Sequence, residues 1–391
     1  MSNVIYNALR KIRSLGILSS VGIDSSDHIG ISFGNYSSSV ATMEGNKARI
    51  IKKIPTIKLF EEKDCPGNYN CISFGVKQLL GRKFDDPLVA KEMKRDSFMK
   101  TIVSGDDGDA WYVSTAGLLH SPCVILAMVL KELRVDAELE LGREVSRAVI
   151  AVPSWFEDAQ IVATMKSCYT AGISELQVIS EATATAISFG MCKKGEGHVF
   201  AVVDMGERTL DVSILQVVSN GSFVSKGPVH SDMLLGGVEF DNVLLDFTVQ
   251  QLKTLEGVDV VGDQAVSDIR FAADTHKKQL SSEAAISIPL NVPLVLTRSE
   301  FDRLVNHLIQ RIRSLCTNCL KDACITPKDV DEVLLVGGMA RVPVVQKAIT
   351  EIFEKCPSTG VEPDEAVALG AAAAIQAGVV GDRDFAFLEG A

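Results

Sequence analysis

Asp204 and Asp211 flank a short turn, Met205-Gly206-Glu207-Arg208-Thr209-Leu210, and each adjoins an apolar run, so residues 199–204 and 211–217 read as two strands joined there. A hairpin of this kind can lay its backbone N–H groups on a polyphosphate. That chemistry wants glycine at the tip, where unusual φ values and close approach are needed, and Glu207 and Arg208 supply neither. The turn is expected to hold a nucleotide without necessarily turning it over. A second small-residue turn, Gly34-Asn35-Tyr36, joins two alternating apolar segments within residues 29–41. A third candidate is Cys316-x-x-Cys319 with Cys324. It falls on a helical apolar pattern (Leu304, Leu308, Ile312, Leu315, Cys319) without a fourth ligand nearby, which favours core positions over a metal site.

The elements that must position these turns occur twice along the chain. A strand hairpin at 29–41 is followed by an irregular, basic, proline-containing stretch to about residue 70. A helix capped by Ser121, with Pro122 in its first turn, runs to about 135. It leads to the buried-strand run Ala148-Val149-Ile150-Ala151-Val152-Pro153 and a helix over about 157–171. The second round has the 199–217 hairpin, a helix from about Gly237, the strand Glu332-Val333-Leu334-Leu335-Val336 ending at Gly337-Gly338, and helices over 342–352 and 364–377. A doubled plan of this kind predicts an α/β protein of two pseudo-symmetric lobes, with both turns facing one cleft beyond the strand ends.

At 391 residues, 47% apolar and 23% charged, the chain is a globular protein of two domain-sized lobes. Its net charge of −11 speaks against a general nucleic-acid surface or an anionic membrane as partner. No apolar run reaches the roughly 20 residues of a spanning helix. Nine cysteines, an odd number in a core-rich chain, fit free thiols in a reducing compartment. Residues 1–23 carry no acid, while Arg10, Lys11 and Arg13 alternate with Ile5, Leu9, Ile12 and Leu15. That pattern reads as an organelle transit segment or as an ordinary tail.

Five motifs in order carry a family resemblance: Gly81–Pro87 (GRKFDDP), Ala148–Pro153 (AVIAVP), Leu235–Asn242 (LGGVEFDN), Leu335–Pro343 (LVGGMARVP) and Pro363–Ala372 (PDEAVALGAA). The chain resembles, from about residue 29 to 381, the nucleotide-binding domain of the 70 kDa heat-shock chaperone (DnaK-like) family, within the actin-like/sugar-kinase fold. The wording of Cys319-Leu320-Lys321-Asp322-Ala323 and Gly337-Gly338-Met339 is most similar to the mitochondrial branch. The resemblance implies a tail at 1–27, lobe I at 28–198, lobe II at 199–381 and a linker remnant at 382–391. It implies ATP or ADP with Mg²⁺ as cofactors, and J-domain proteins, exchange factors or another chaperone as partners. It also implies the mitochondrial matrix, with the cytoplasm as alternative.

Position by position, the resemblance implies that Lys77 reaches the β- and γ-phosphates and the attacking water. Glu181 and Asp204 would hold Mg²⁺ through its waters. Thr209 and Asp211 would stand beside the γ-phosphate, with Gly34, Asn35, Tyr36 and Gly206 lining the phosphates. Gly236 and Gly237 would bring a helix N-terminus close, and Asp274, Lys277, Lys278 and Ser281 would flank the nucleoside. Gly337, Gly338, Met339, Arg341 and Asp364 would close the adenine side, Arg341 by stacking.

Departures from the family pattern are concentrated at the phosphates. Where the family has Asp-Leu-Gly-Thr-Thr this chain has Ser32-Phe33-Gly34-Asn35-Tyr36, and Asp-Leu-Gly-Gly-Gly-Thr-Phe-Asp has become Asp204-Met205-Gly206-Glu207-Arg208-Thr209-Leu210-Asp211. The chain is also shorter than the family between Ile51 and Lys77 and between Ile286 and Thr297. Past Phe385-Ala386-Phe387-Leu388, at the linker position, no peptide-binding domain follows, so ATP-gated peptide capture is not expected of these residues alone. The reading that follows is a chaperone-family ATPase domain that binds nucleotide with weak or absent hydrolysis and serves a regulatory or co-chaperone role. An active ATPase domain in protein folding and a nucleotide-free scaffold are the alternatives, and a sugar kinase is a distant fourth.

Overall fold

A computed structural model describes residues 28–56, 75–95, 102–113, 119–260, 263–288 and 294–378. Most of the first shortened region, residues 289–293 of the second, and the N- and C-terminal segments discussed above lie outside these residues.

Five strands form the first sheet: β1 (Ile29–Phe33), β2 (Ser37–Glu44), β3 (Lys47–Pro55), β4 (Arg147–Val152) and β5 (Glu175–Ser180), in the order β3-β2-β1-β4-β5. Ile31 of β1 lies opposite Val40 of antiparallel β2 and Ile150 of parallel β4. With cover on both faces, β1 and β4 are almost wholly buried, as parallel strands in α/β proteins are. The second sheet repeats the plan. It contains β6 (Val199–Met205), β7 (Leu210–Val217), β8 (Phe223–Ser225), β9 (His230–Asp232) and β10 (Glu332–Val336), in the order β8-β7-β6-β10 with β9 on β7. β6 is antiparallel to β7 through the hairpin and parallel to β10, as β1 is to β2 and β4. The fold is the actin-like one.

Helices follow in chain order as α1 (Val76–Leu79), α2 (Pro87–Arg95), α3 (Pro122–Leu141), α4 (Asp158–Thr170), α5 (Glu181–Ser188), α6 (Gly237–Gln251), α7 (Asp263–Ser282), α8 (Arg298–Leu304), α9 (Asn306–Asp322), α10 (Pro343–Phe353) and α11 (Ala366–Ala373). Local chemistry sets their ends. Ser121 accepts a hydrogen bond from the Val124 amide with Pro122 at N1, and Gly142 at φ 66° stops α3. Glu157 and Gln160 form a capping box at the start of α4.

Three expectations change. Residues 47–55 are a strand, not irregular chain: Ile51 and Ile54 face lobe I while Lys52 and Lys53 point outward, and a bulge at Val40/Ala41 blurs the alternation. α3 continues to Leu141, beyond about 135, because its stop signal is Gly142. The final helix α11 begins at Ala366 and packs on lobe I, Ala368 and Ala372 lying against Ala41 and Met43. The last part of the chain therefore returns to the first lobe, and a single boundary at residue 199 does not describe its packing.

α5 and α11 cross between the two sheets, where Ala184, Ala371 and Ala374 meet Val149 and Phe200 in one buried cluster. The crossing is close enough that a Cβ on Gly370 would stand 1.7 Å from the Ala184 carbonyl oxygen, and one on Gly30 would stand 2.0 Å from the Ala372 nitrogen. Gly370→Ala is expected to cost about 3 kcal/mol or more. Urea unfolding with an unchanged midpoint would contradict this packing.

Cys316 and Cys319 of α9 are buried in the second lobe's core, and Cys324 is exposed. Among the described residues no group of three His, Cys, Asp or Glu side chains could hold a metal directly, and no helix is long and apolar enough to cross a membrane.

Candidate functional site

The antiparallel register of β6 and β7 sets Asp204 directly opposite Asp211. Glu181 joins them from the first turn of α5, whose start is fixed by Ser180 accepting from the Thr183 amide at 3.0 Å. The three acids line one cavity of about 10 Å³, room for about one water, with Ser154, Ala182, Val202 and Ser213. Lys77, on α1, forms an ion pair with Glu181. Burial, then the neighbouring Glu181 and Asp211 charges, push the Asp204 carboxyl up to about 7, and Lys77 only partly offsets this. Asp211 is pushed up to about 6 by burial, with Ser231, Lys77 and the Trp155 indole working the other way. Trp155 Nε1 donates to Asp211 Oδ2 at 3.3 Å, and Thr209 Oγ1 donates to the same oxygen at 3.5 Å. Trp155 is thus a contact between lobes as well as a packing residue.

At the tip of the second hairpin the two charged substitutions point different ways. Arg208 is 1% exposed, and its Nη2 donates to Glu92 Oε2 of α2 at 2.6 Å, across the cleft in lobe I. Gly75, just before α1, and Tyr112 of the strand Ala110–Val113 lie beside this pair. Glu207 turns toward the nucleoside side, and its Oε2 is buried without a hydrogen-bond partner among the described residues. Desolvation pushes its carboxyl up to about 7, against the pull of Arg208 and Lys277. Gly206 donates to the Thr209 carbonyl at 3.0 Å, which closes the turn.

The helix N-terminus expected to face the phosphates is α6. Its Gly237 and Val238 amides donate to the Gly206 and Glu207 carbonyls at 3.1 and 2.9 Å, and the Gly236 amide donates to Glu239 Oε2. A Cβ on Gly236 would lie 2.4 Å from the Glu207 carbonyl oxygen, so glycine here serves hairpin–helix contact. In the first hairpin Asn35 is buried, and its Oδ1 has no hydrogen-bond partner among the described residues. Tyr36 is 47% exposed, and its hydroxyl accepts from Lys278 Nζ at 3.1 Å.

On the nucleoside side, α7 brings Asp274, Lys277, Lys278 and Ser281 together. Lys277 is buried between Asp241 Oδ1 at 2.7 Å and Asp274 Oδ1 at 3.3 Å, and Lys278 reaches Asp274 Oδ2 at 2.5 Å. Gly337 at φ 84° follows β10, and a Cβ there would strike the Met205 carbonyl oxygen at 2.3 Å. Gly338, buried Met339 and Arg341 form the next turn. Arg341 Nη2 donates to Asp364 Oδ1 at 2.5 Å and to Glu362 Oε2 at 2.8 Å. Lys53 of β3 pairs with Asp364 from the other lobe.

Sequence reasoning missed Glu92, Lys53, Glu362 and Asp241. For Glu92 a signal existed: it lies on the α2 stripe with buried Val89 and half-buried Met93, where a lone acid needs a buried partner.

A family model described as Hsp70 protein matches residues 63–389, most of the chain. This chain belongs to the Hsp70 family. Among its relatives are proteins named "Heat shock 70 kDa protein, mitochondrial". That of Solanum tuberosum is 44% identical over 381 residues, covering 90% of this chain and 54% of the relative. That of Pisum sativum is 43% identical over 383 residues, with 90% and 55% covered. That of Dictyostelium discoideum is 39% identical over 381 residues, with 90% and 57% covered. The chain spans about half the length of these Hsp70 relatives.

Proposed function

We propose that this chain is a nucleotide-binding Hsp70 domain of a mitochondrial chaperone system that binds Mg-ADP or Mg-ATP, hydrolyses ATP slowly or not at all, and acts as a regulatory partner. The observation that carries the reading is the contrast between the two sides of the cleft. Arg341, Asp364, Lys277 and Asp274 are assembled where the nucleoside belongs, while Glu207 and Arg208 place charged side chains at the phosphate turn. The three-acid cluster supports a divalent cation held through water: Asp204, Asp211 and Glu181 line one cavity, Lys77 pairs with Glu181, and burial disfavours the charge of Asp204 and Asp211. J-domain proteins, exchange factors or another chaperone remain the proposed partners. The compartment is proposed from the relatives' names and the acid-free residues 1–23.

Calorimetric titration with Mg-ADP tests the binding half. The expected result is measurable binding, weakened about tenfold by Arg341→Ala, or ~1.4 kcal/mol. Absence of both heat and thermal shift at millimolar nucleotide would overturn it in favour of a nucleotide-free scaffold.

A further inference from the structure

Side-chain contacts that join the lobes across the cleft include Arg208 with Glu92, Lys278 with Tyr36, Trp155 with Asp211, and Lys53 with Asp364. The first differs in kind. Its partners are 1% and 7% exposed, whereas Lys278, Tyr36 and Lys53 are partly or well exposed. Exposed ion pairs contribute little, but a buried one is hard to break, because either charge left alone inside the protein is strongly disfavoured. It also lies at the phosphate end of the cleft: the tip of the second hairpin on one side, and α2 beside Gly75 and α1, which carries Lys77, on the other. With this contact made, the space among Glu181, Asp204 and Asp211 is about 10 Å³.

We propose that Glu92 is a positioning residue for nucleotide entry: through its buried ion pair with Arg208 it straps the outer part of lobe I to the phosphate hairpin of lobe II, and nucleotide gains access only when the strap opens. This rests on the reading of the cleft as a nucleotide site. The strap makes the entry-competent state a minor population, and apparent affinity and association rate fall by that fraction. Arg208 is held by a protein carboxylate rather than offered to a phosphate, so its charge opposes entry instead of drawing the ligand in. Side chains keep the lobes together where a bound nucleotide would otherwise do so.

The test is stopped-flow association of Mg-ADP with the full chain, comparing parent, Glu92→Gln, Arg208→Met and Glu92→Asp. The proposal expects a rise of tenfold or more in the association rate constant for Glu92→Gln and Arg208→Met, and a rate near the parent's for Glu92→Asp, which keeps the charge. A purely structural role would lower thermal stability and leave the association rate unchanged, and that result overturns the proposal. If Glu92→Gln does not fold, the double variant Glu92→Leu/Arg208→Met replaces the pair with apolar side chains and is read in the same way. If no variant binds Mg-ADP, the nucleotide reading fails by itself. The strap is then decided by acrylamide quenching of Trp155 in a Trp111→Phe background. Greater quenching without the Glu92 charge supports it, and equal quenching overturns it.

Discussion

The triple variant Ser32→Asp, Glu207→Gly, Arg208→Gly is expected to hydrolyse bound Mg-ATP at least about a hundredfold faster than the parent chain. Phosphoryl transfer asks a protein mainly to position groups and stabilise developing charge, and each of these three sites works against that. Ser32 lies opposite Ser39 and Ala151 at the end of β1, where a carboxylate would face the same cleft as Asp204 does from β6. Glu207 sets a half-buried acid with a raised pKa beside the phosphate turn. A unit charge close to a phosphate is repelled by about 4 kcal/mol at an intermediate dielectric. Arg208 ties the turn to Glu92. Single reversions are expected to give little, because the groups act as one unit and their effects do not add. Removing Arg208 leaves Glu92 buried without its cation, so the variant's thermal stability has to be checked first, and Glu92→Gln added if it has fallen. A folded triple variant that binds ATP and turns it over no faster than the parent would show that the defect lies elsewhere.

Asp204→Asn is expected to stabilise the protein at pH 8 while abolishing the cation dependence of nucleotide binding. The sign follows from the raised pKa. Asp204 ordinarily titrates near 3.8 and here is pushed up to about 7, so the folded state holds a proton that the unfolded state gives up. Stability is unpenalised below about pH 4, is lost progressively as pH rises from about 4 to about 7, and stays low above that. Asparagine removes the penalty. The gain at pH 8 should be on the order of 2 kcal/mol, allowing for the partial exposure of Asp204, and should vanish near pH 4. Thermal melts from pH 4 to 8 with and without Mg²⁺ and ADP read both effects. Mg-ADP should raise the parent's melting temperature at pH 8 and leave that of Asp204→Asn nearly unmoved. An equal destabilisation of Asp204→Asn at all pH values would mean that the carboxylate is structural, with no strain for a cation to relieve.

The frame was legible because its signals are local. β1, β4, β6 and β10 announce themselves as short apolar runs, the hairpin turns as small or polar residues between them, and α3, α4 and α6 by Ser121, Glu157 and Gly236 at their starts. β3 was missed because its lysines and isoleucines do not alternate cleanly across the bulge at Val40/Ala41. α11 was placed with the second lobe because a short, alanine-rich helix carries no sign of which sheet it covers. At the site, the family resemblance grouped Asp204, Asp211, Glu181 and Lys77, and the structure places the three acids around one small cavity with Lys77 paired to Glu181. What stayed hidden depends on pairs distant in sequence. Glu92 meets Arg208 across 116 positions, and Tyr36 meets Lys278 across 242. A charge in place of a glycine could be seen in the sequence, but its direction could not. The fold gives Arg208 to Glu92.

The central claim is that a cleft with its nucleoside side assembled has lost turnover at its phosphate side. Single-turnover hydrolysis tests it most directly: the parent chain is loaded with a slight excess of protein over radiolabelled Mg-ATP, and the bound nucleotide is followed beside an Hsp70 ATPase domain carrying the unaltered hairpins. The account predicts that ATP is retained and cleaved at least about a hundredfold more slowly than by that reference. Cleavage at the reference rate would contradict it.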